Sequence, residues 1–326
     1  MNGQTEVARL FVDDRWSGAH GIGRYASEVL ARLNTPWRSL ALSGRPSGPT
    51  ELLRSVPVGR DDALYSPGYN TFLGVRRQFV TIHDLIHLRV PGVEGLKYKG
   101  YYAAARALVR RSGLVFTVSE ASANDIRTWL RDDDVEIVNT RGGCSDAFTR
   151  DGDAHVEDEP YFLFVGNMRA HKNINSFLGA LALVPVRGVV VVPVAELEEC
   201  RTRAVRYGVA DRLSLLSGVD DAELACLYRG AVALVFPSLH EGFGLPALES
   251  VRCGTPVLYW AGCPSVAEIV GADGEAVASE RDAEAWAAAM STSMISGADV
   301  AGDLAGAFTW EATAARVDAA LGGALG

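Results

Sequence analysis

The sequence predicts an α/β protein built from two doubly wound, parallel-sheet halves. Three observations carry that expectation. Short apolar runs of strand length alternate with stretches of helical periodicity along most of the chain. Several of these runs are apolar at consecutive positions and β-branched, as strands covered on both faces tend to be. Near the middle, residues 150–160 form a polar, acidic stretch that ends in Pro160 just before a strand, the signal of a linker.

In chain order, the strand candidates of the first half are 10–12, 79–82, 114–118 and 136–138. Those of the second half are 161–165, 188–192, 213–216, 233–236 and 256–259. Helices between them are marked by Ile22, Ala26, Val29, Leu30 and Leu33, by Leu178, Leu181 and Ala182, and by Leu224, Leu227 and Tyr228. The expected division is a first domain at 1–152, a second at 153–307, and an Ala-rich helix at 308–326 with a path back to the first domain. Doubly wound sheets bind ligands at the carboxyl ends of their strands, so a shared site is expected in a cleft between the halves.

Composition agrees with this class. A chain of 326 residues is long enough for two domains of about 150 residues each. With 48% hydrophobic and 22% charged residues it can bury sizeable cores. The formal charge of -9 excludes a broad basic face for nucleic acid while leaving room for one local phosphate pocket. Of the 31 basic residues only Lys97, Lys99 and Lys172 are Lys; the other 28 are Arg. Five widely spaced Cys without a Cys-x-x-Cys pair suggest neither a disulfide framework nor a zinc ribbon, which points to the reduced cytoplasm. No signal peptide is visible at the N-terminus. The longest apolar run, 188–195, is far short of the about 20 residues a membrane span needs. Contact with a membrane surface is left open.

Four segments have the composition of chemistry. Gly21-Ile-Gly-Arg-Tyr-Ala26 fits the G-x-G-x-x-A form, but the loop before it is long for a dinucleotide site and no acidic residue follows where a ribose ligand belongs. Two glycines opening a helix remain, with N–H groups able to approach a phosphate; a plain loop-to-helix turn explains them equally. The acidic triplets at 132–134 and 151–153 read as solvated loops, and no metal site is expected there. Residues 164–173 end a strand and gather Arg169, His171 and Lys172 ahead of a helix. Cations beside a helix N-terminus are unfavourable unless an anion joins them, which points to a phosphate pocket.

The most informative segment is 235–257. A buried strand ends near Pro237, a loop carries Glu241, Gly242 and Gly244, and Pro246 and Gly254 bracket a short helix. N–H groups around Phe243, Gly244 and Leu245 can point at an anion. Glu249 offers two acceptor oxygens suited to a vicinal diol such as a ribose, or else compensates the helix dipole.

Together these segments resemble the retaining glycosyltransferases of family 4, two-domain enzymes of the GT-B architecture. Gly21-Ile-Gly-Arg-Tyr25 is similar to the family's first-helix glycine loop, 81–85 to its His-Asp strand end, and 117–120 to the segment closing the first sheet. Residues 165–173 resemble the phosphate-binding stretch, Glu241 to Glu249 the donor signature, and 308–310 the start of the closing helix. The resemblance implies two Rossmann-like domains facing each other across a cleft, and metal-independent, retaining transfer from a UDP- or GDP-linked sugar to a small-molecule or glycan hydroxyl. No further cofactor is implied. It implies that Lys172 with a partner cation, here read as Arg169 with His171 as the alternative, and the backbone at Gly23, Phe243, Gly244 and Leu245 hold the diphosphate, and that Glu249 holds the ribose. Glu241 would touch a donor-sugar hydroxyl, and His83 the sugar or acceptor. The chain departs from the pattern at His171, where many members have Arg, and at Ala267, which replaces a Pro. A nucleotide-sugar epimerase, or a non-catalytic binding module of the same architecture, is the alternative.

Overall fold

The computed structural model describes residues 9–18, 21–46, 48–89, 96–296, 300–302 and 304–326. The N-terminal segment read for a signal peptide, and the side chains of Lys97 and Lys99, lie outside the described residues. In chain order the elements are β1 (Leu10–Val12), α1 (Gly21–Arg32), β2 (Trp37–Ser39), β3 (Ala63–Ser66), β4 (Gln78–Val80), α2 (Ile86–Arg89), α3 (Leu96–Ser112), β5 (Leu114–Thr117), α4 (Glu120–Leu130) and β6 (Glu136–Asn139). There follow β7 (Tyr161–Val165), α5 (Ile174–Leu183), β8 (Arg187–Val191), α6 (Leu197–Tyr207), β9 (Leu213–Leu216), α7 (Asp221–Gly230) and β10 (Leu234–Phe236). The chain closes with α8 (Leu245–Arg252), β11 (Val257–Trp260), α9 (Pro264–Val270), β12 (Gly274–Val277), α10 (Ala283–Ser296) and α11 (Trp310–Leu325).

The chain forms two compact units, residues 1–143 with 308–326, and residues 144–307. The boundary thus falls before the acidic stretch instead of at 152/153. The reason is packing. Phe148 is fully buried with its ring 5.9 Å from that of Tyr228, and Arg229 donates to the carbonyls of Thr149 at 3.1 Å and Asp153 at 2.7 Å. The stretch that reads as a linker is a strap, tied down by Arg229 and by the His155 N–H, which donates to the Cys226 carbonyl at 2.9 Å.

In the first unit all pairings are parallel, in the order β2-β1-β3-β4, with β5-β6 beside them. A bridge between Thr81 and Phe116, and a bond from the Ile82 N–H to the Phe116 carbonyl at 2.9 Å, carry the ladder from β4 to β5. β2 and β3 are not foreseen from sequence: β2 is a three-residue strand without full burial, and β3 is short and lacks β-branched residues. α11 returns to α1, where Glu311 pairs with Arg32 at 2.7 Å and Asp318 accepts from the N–H groups of Asn34 and Thr35, each at 2.8 Å.

The second unit holds one parallel six-stranded sheet in the order β12-β11-β10-β7-β8-β9. Counted within the unit this is the 3-2-1-4-5-6 order of a doubly wound fold. Phe162, Phe164, Phe177, Leu181, Val190 and Trp286 form its main core.

Gly23 is buried in α1, and a Cβ there would lie 2.5 Å from the backbone of Ser17. That contact requires glycine. Gly23→Ala is expected to cost about 1–3 kcal/mol of stability in the first unit, as overpacking does, read as a lower melting temperature with or without nucleotide.

Candidate active site

β7 and β10 are neighbours at the centre of the second sheet, where the winding reverses. Loops leaving such a pair run in opposite directions and open a crevice between them. Both of the charged loops identified from sequence leave these two strands. The first ends in a short turn at Ala170–Lys172, and the second carries Glu241. The loops are stitched together by the Leu239 N–H, which donates to the His171 carbonyl at 2.7 Å, and by the Asn173 side-chain amide, which donates to the Pro237 carbonyl at 3.2 Å.

Lys172 Nζ then meets Glu241 Oε1 at 2.6 Å. The side chains are only 14% and 12% exposed, so water screens this pair less than a surface pair. The ammonium also lies 5.4 Å from the ring centroid of Phe236, the buried last residue of β10. The Glu241 carbonyl accepts from the Ser265 hydroxyl at 2.9 Å, which ties the loop to the start of α9. The structure therefore brings together Lys172 and Glu241, which lie 69 positions apart in the chain. Arg169 is exposed at the residue preceding the same turn.

Gly244 caps α8 with φ +118°, and a Cβ there would approach Val266 to 3.3 Å. The backbone takes a left-handed turn that a side chain would resist. Phe243 and Gly244 are buried and Leu245 is half-buried. First-turn N–H groups of a helix have no intrahelical acceptor, and Pro246 near the start has no N–H to leave unpaired. Glu249 differs from expectation. It is the fifth residue of α8, beyond the first turn, and 5% exposed, so dipole compensation does not explain it. Its Oε2 accepts from the hydroxyl of fully buried Tyr228 at 3.0 Å.

Asp132 pairs with Arg110 at 3.3 Å, and among the described residues no group of three or more His, Cys, Asp or Glu has metal-binding geometry. The five Cys are all free thiols. Among the described residues no helix is long and apolar enough to cross a membrane.

In the first unit His83 follows β4 and is buried. Its Nε2 donates to the Pro67 carbonyl at 2.9 Å, and its ring meets Tyr25 edge-on at 4.8 Å. Burial lowers its pKa from the ordinary 6.5, against the Pro67 bond and the nearby Asp84 charge, which both raise it. The Tyr25 hydroxyl bonds to Thr140 at 3.0 Å, within a buried polar set that includes Tyr65 and Thr81.

Sequence reasoning missed Tyr228, Phe236 and Ser265. Tyr228 reads as one of three apolar positions on a helix face, and only its hydroxyl marks it out. Phe236 reads as a strand residue. Ser265 carries no local signal.

Residues 146–298 match the family model described as glycosyl transferases group 1. The chain is 28% identical over 254 residues to the O-antigen chain mannosyltransferase B of Escherichia coli, an alignment covering 70% of this chain and 64% of that protein. The chain thus spans less than two thirds of that relative's length. A sucrose-phosphate synthase from Thermosynechococcus elongatus superposes with a TM-score of 0.74 at 19% identity, covering 97% of this chain and 98% of that one. Anabaena HepE in complex with UDP and glucose gives 0.71 at 14% identity, covering 97% and 100%.

The His83 shift has a consequence for stability. An imidazole whose folded-state pKa lies below 6.5 is protonated first in the unfolded chain, so the unfolded state binds more protons in that window and stability rises with pH. The stability is fully present above pH 6.5 and is lost as pH falls below it. Urea titrations of wild type and His83→Gln across this range are expected to show a shallower pH slope in the variant. Equal slopes would contradict the assignment.

Proposed function

Because the chain belongs to the group 1 glycosyl transferases, with the GT-B glycosyltransferase fold, we propose that it moves a hexose from a nucleoside diphosphate sugar to a hydroxyl acceptor with retention at the anomeric carbon. The observation that carries this reading is the Lys172–Glu241 pair at 2.6 Å, held at the carboxyl ends of β7 and β10 inside the matched segment. A diphosphate leaving group needs a cation, and a sugar hydroxyl needs an acceptor. The pair supplies one of each within reach of a single ligand.

In this reading the donor nucleotide is of the UDP or GDP type. The UDP bound by the Anabaena neighbour and the mannosyltransferase relative support a nucleotide-sugar donor and a glycan acceptor. Glu249 accepts from the ribose hydroxyls, and the N–H groups at Gly244 and Leu245 meet the diphosphate with Lys172 and Arg169. Glu241 exchanges part of its bond to Lys172 for a sugar hydroxyl as the phosphates take over the ammonium. The acceptor oxygen attacks the anomeric carbon on the face the diphosphate leaves, and its proton passes to a departing phosphate oxygen. No protein nucleophile and no resident metal enters the scheme. In the first unit His83 is assigned as a neutral contact to the acceptor.

The test is nucleotide release from UDP- and GDP-sugars with a pool of hydroxyl acceptors. Lys172→Ala and Glu241→Ala are each expected to lower turnover at least about 100-fold with unchanged circular dichroism, the scale of a lost electrostatic contact in a transition state. Near-normal rates would sink the site assignment. Nucleotide binding with no release under any donor and acceptor would replace the transferase with a binding module.

A further inference from the structure

Tyr228 lies on α7, on the side of the second sheet that also carries α8, and its ring packs 5.9 Å from Phe148. Its position is fixed from several directions. α7 starts at a capping box in which Asp220 accepts from the Glu223 N–H at 2.9 Å and Glu223 accepts from the Asp220 N–H at 3.0 Å. The Thr255 hydroxyl donates to the Tyr228 carbonyl at 2.5 Å, so the segment after α8 grips α7 directly behind the ring. A phenylalanine would fill this apolar site as well, without the cost of burying a hydroxyl. What the hydroxyl does here is donate to Glu249 Oε2 at 3.0 Å.

We infer that Tyr228 is a positioning residue for donor recognition, orienting the Glu249 carboxylate so that the site prefers a ribonucleoside diphosphate to its 2′-deoxy counterpart. The inference rests on the reading of Glu249 as the ribose ligand. A carboxylate only accepts hydrogen bonds, and a vicinal diol offers two donors at a fixed separation. A glutamate side chain free to turn meets that pair in many wrong orientations, and ordering it on binding reduces affinity. A bond from a rigid aromatic hydroxyl to one oxygen fixes the carboxylate plane in advance. Burial first, and the Glu249 charge second, push the Tyr228 hydroxyl well above its ordinary pKa, so it stays protonated and donates throughout the working pH range.

The experiment compares wild type, Tyr228→Phe and Glu249→Gln in titration calorimetry against UDP, GDP and their 2′-deoxy forms, with thermal melts and donor-sugar kinetics alongside. Tyr228→Phe is expected to weaken the better ribonucleotide about ten-fold, as loss of a charge-assisted hydrogen bond does. It is expected to affect the deoxy form far less, and to raise donor KM more than it lowers kcat. A merely structural tyrosine would weaken both forms alike in step with a lower melting temperature, and that result overturns the proposal. If Glu249→Gln abolishes the ribose preference while Tyr228→Phe keeps it, positioning by Tyr228 is wrong and Glu249 stands. If Glu249→Gln keeps the preference too, the ribose reading of Glu249 fails, and the role given to Tyr228 with it.

Discussion

The parallel pairing of β7 with β10, which sets Leu163 opposite Leu234, is what the candidate site depends on. These strands are distant in sequence, and in a doubly wound sheet the point where they meet is the one place where two adjacent loops diverge. Every contact of the site follows. The Leu239–His171 and Asn173–Pro237 bonds tie one loop to the other, and only then does Lys172 come within 2.6 Å of Glu241. Both strands are buried core elements, so the register that packs Phe162, Phe164 and Val235 also sets where the two charges meet.

That ion pair also resolves a conflict visible in the sequence. Arg169, His171 and Lys172 precede α5, whose first turn contains no acidic residue, and cations there oppose the helix dipole. In the folded chain the compensating charge comes from the other loop, through Glu241. The choice of Lys is consistent with this. Arg would present a broad planar fork, whereas an ammonium is a compact charge that fits between the Phe236 ring and a single carboxylate oxygen. A chain with 28 Arg and three Lys places its one Lys beyond residue 99 at this point.

Much of this was legible beforehand, for identifiable reasons. The central strands are buried over most of their length and apolar at consecutive positions there, so β7, β8 and β10 stand out in the sequence. Gly244, Pro246 and Gly254 punctuate α8 because φ values of +118° and +80° and a helix start leave little choice of residue. What was hidden had no local signature. β3 is buried through neighbours on both sides and needs no β-branched residue of its own. The 150–160 stretch looks like a linker because its ties come from distant residues: Arg229 bonds the Asp153 carbonyl, and the Cys226 carbonyl accepts from the His155 N–H. Tyr228 matters through one hydroxyl that meets a partner 21 residues on, and periodicity records only that the ring is buried.

The first unit shows how burial restricts what a histidine can do. His83 follows β4 at the carboxyl edge of the sheet, the position that suggests contact with a ligand. Its Nε2 proton, however, is committed to the Pro67 carbonyl, and burial favours the neutral ring over the cation. Such an imidazole is a poor reservoir for a proton: accepting one at Nδ1 would create a charge in a dry site, where burial outweighs the help of the Pro67 carbonyl and the nearby Asp84. It can still offer Nδ1 as a neutral acceptor to a hydroxyl and hold that hydroxyl in place. A reaction in which the leaving phosphate takes the acceptor proton asks no more of it than this, because the base then arrives with the donor.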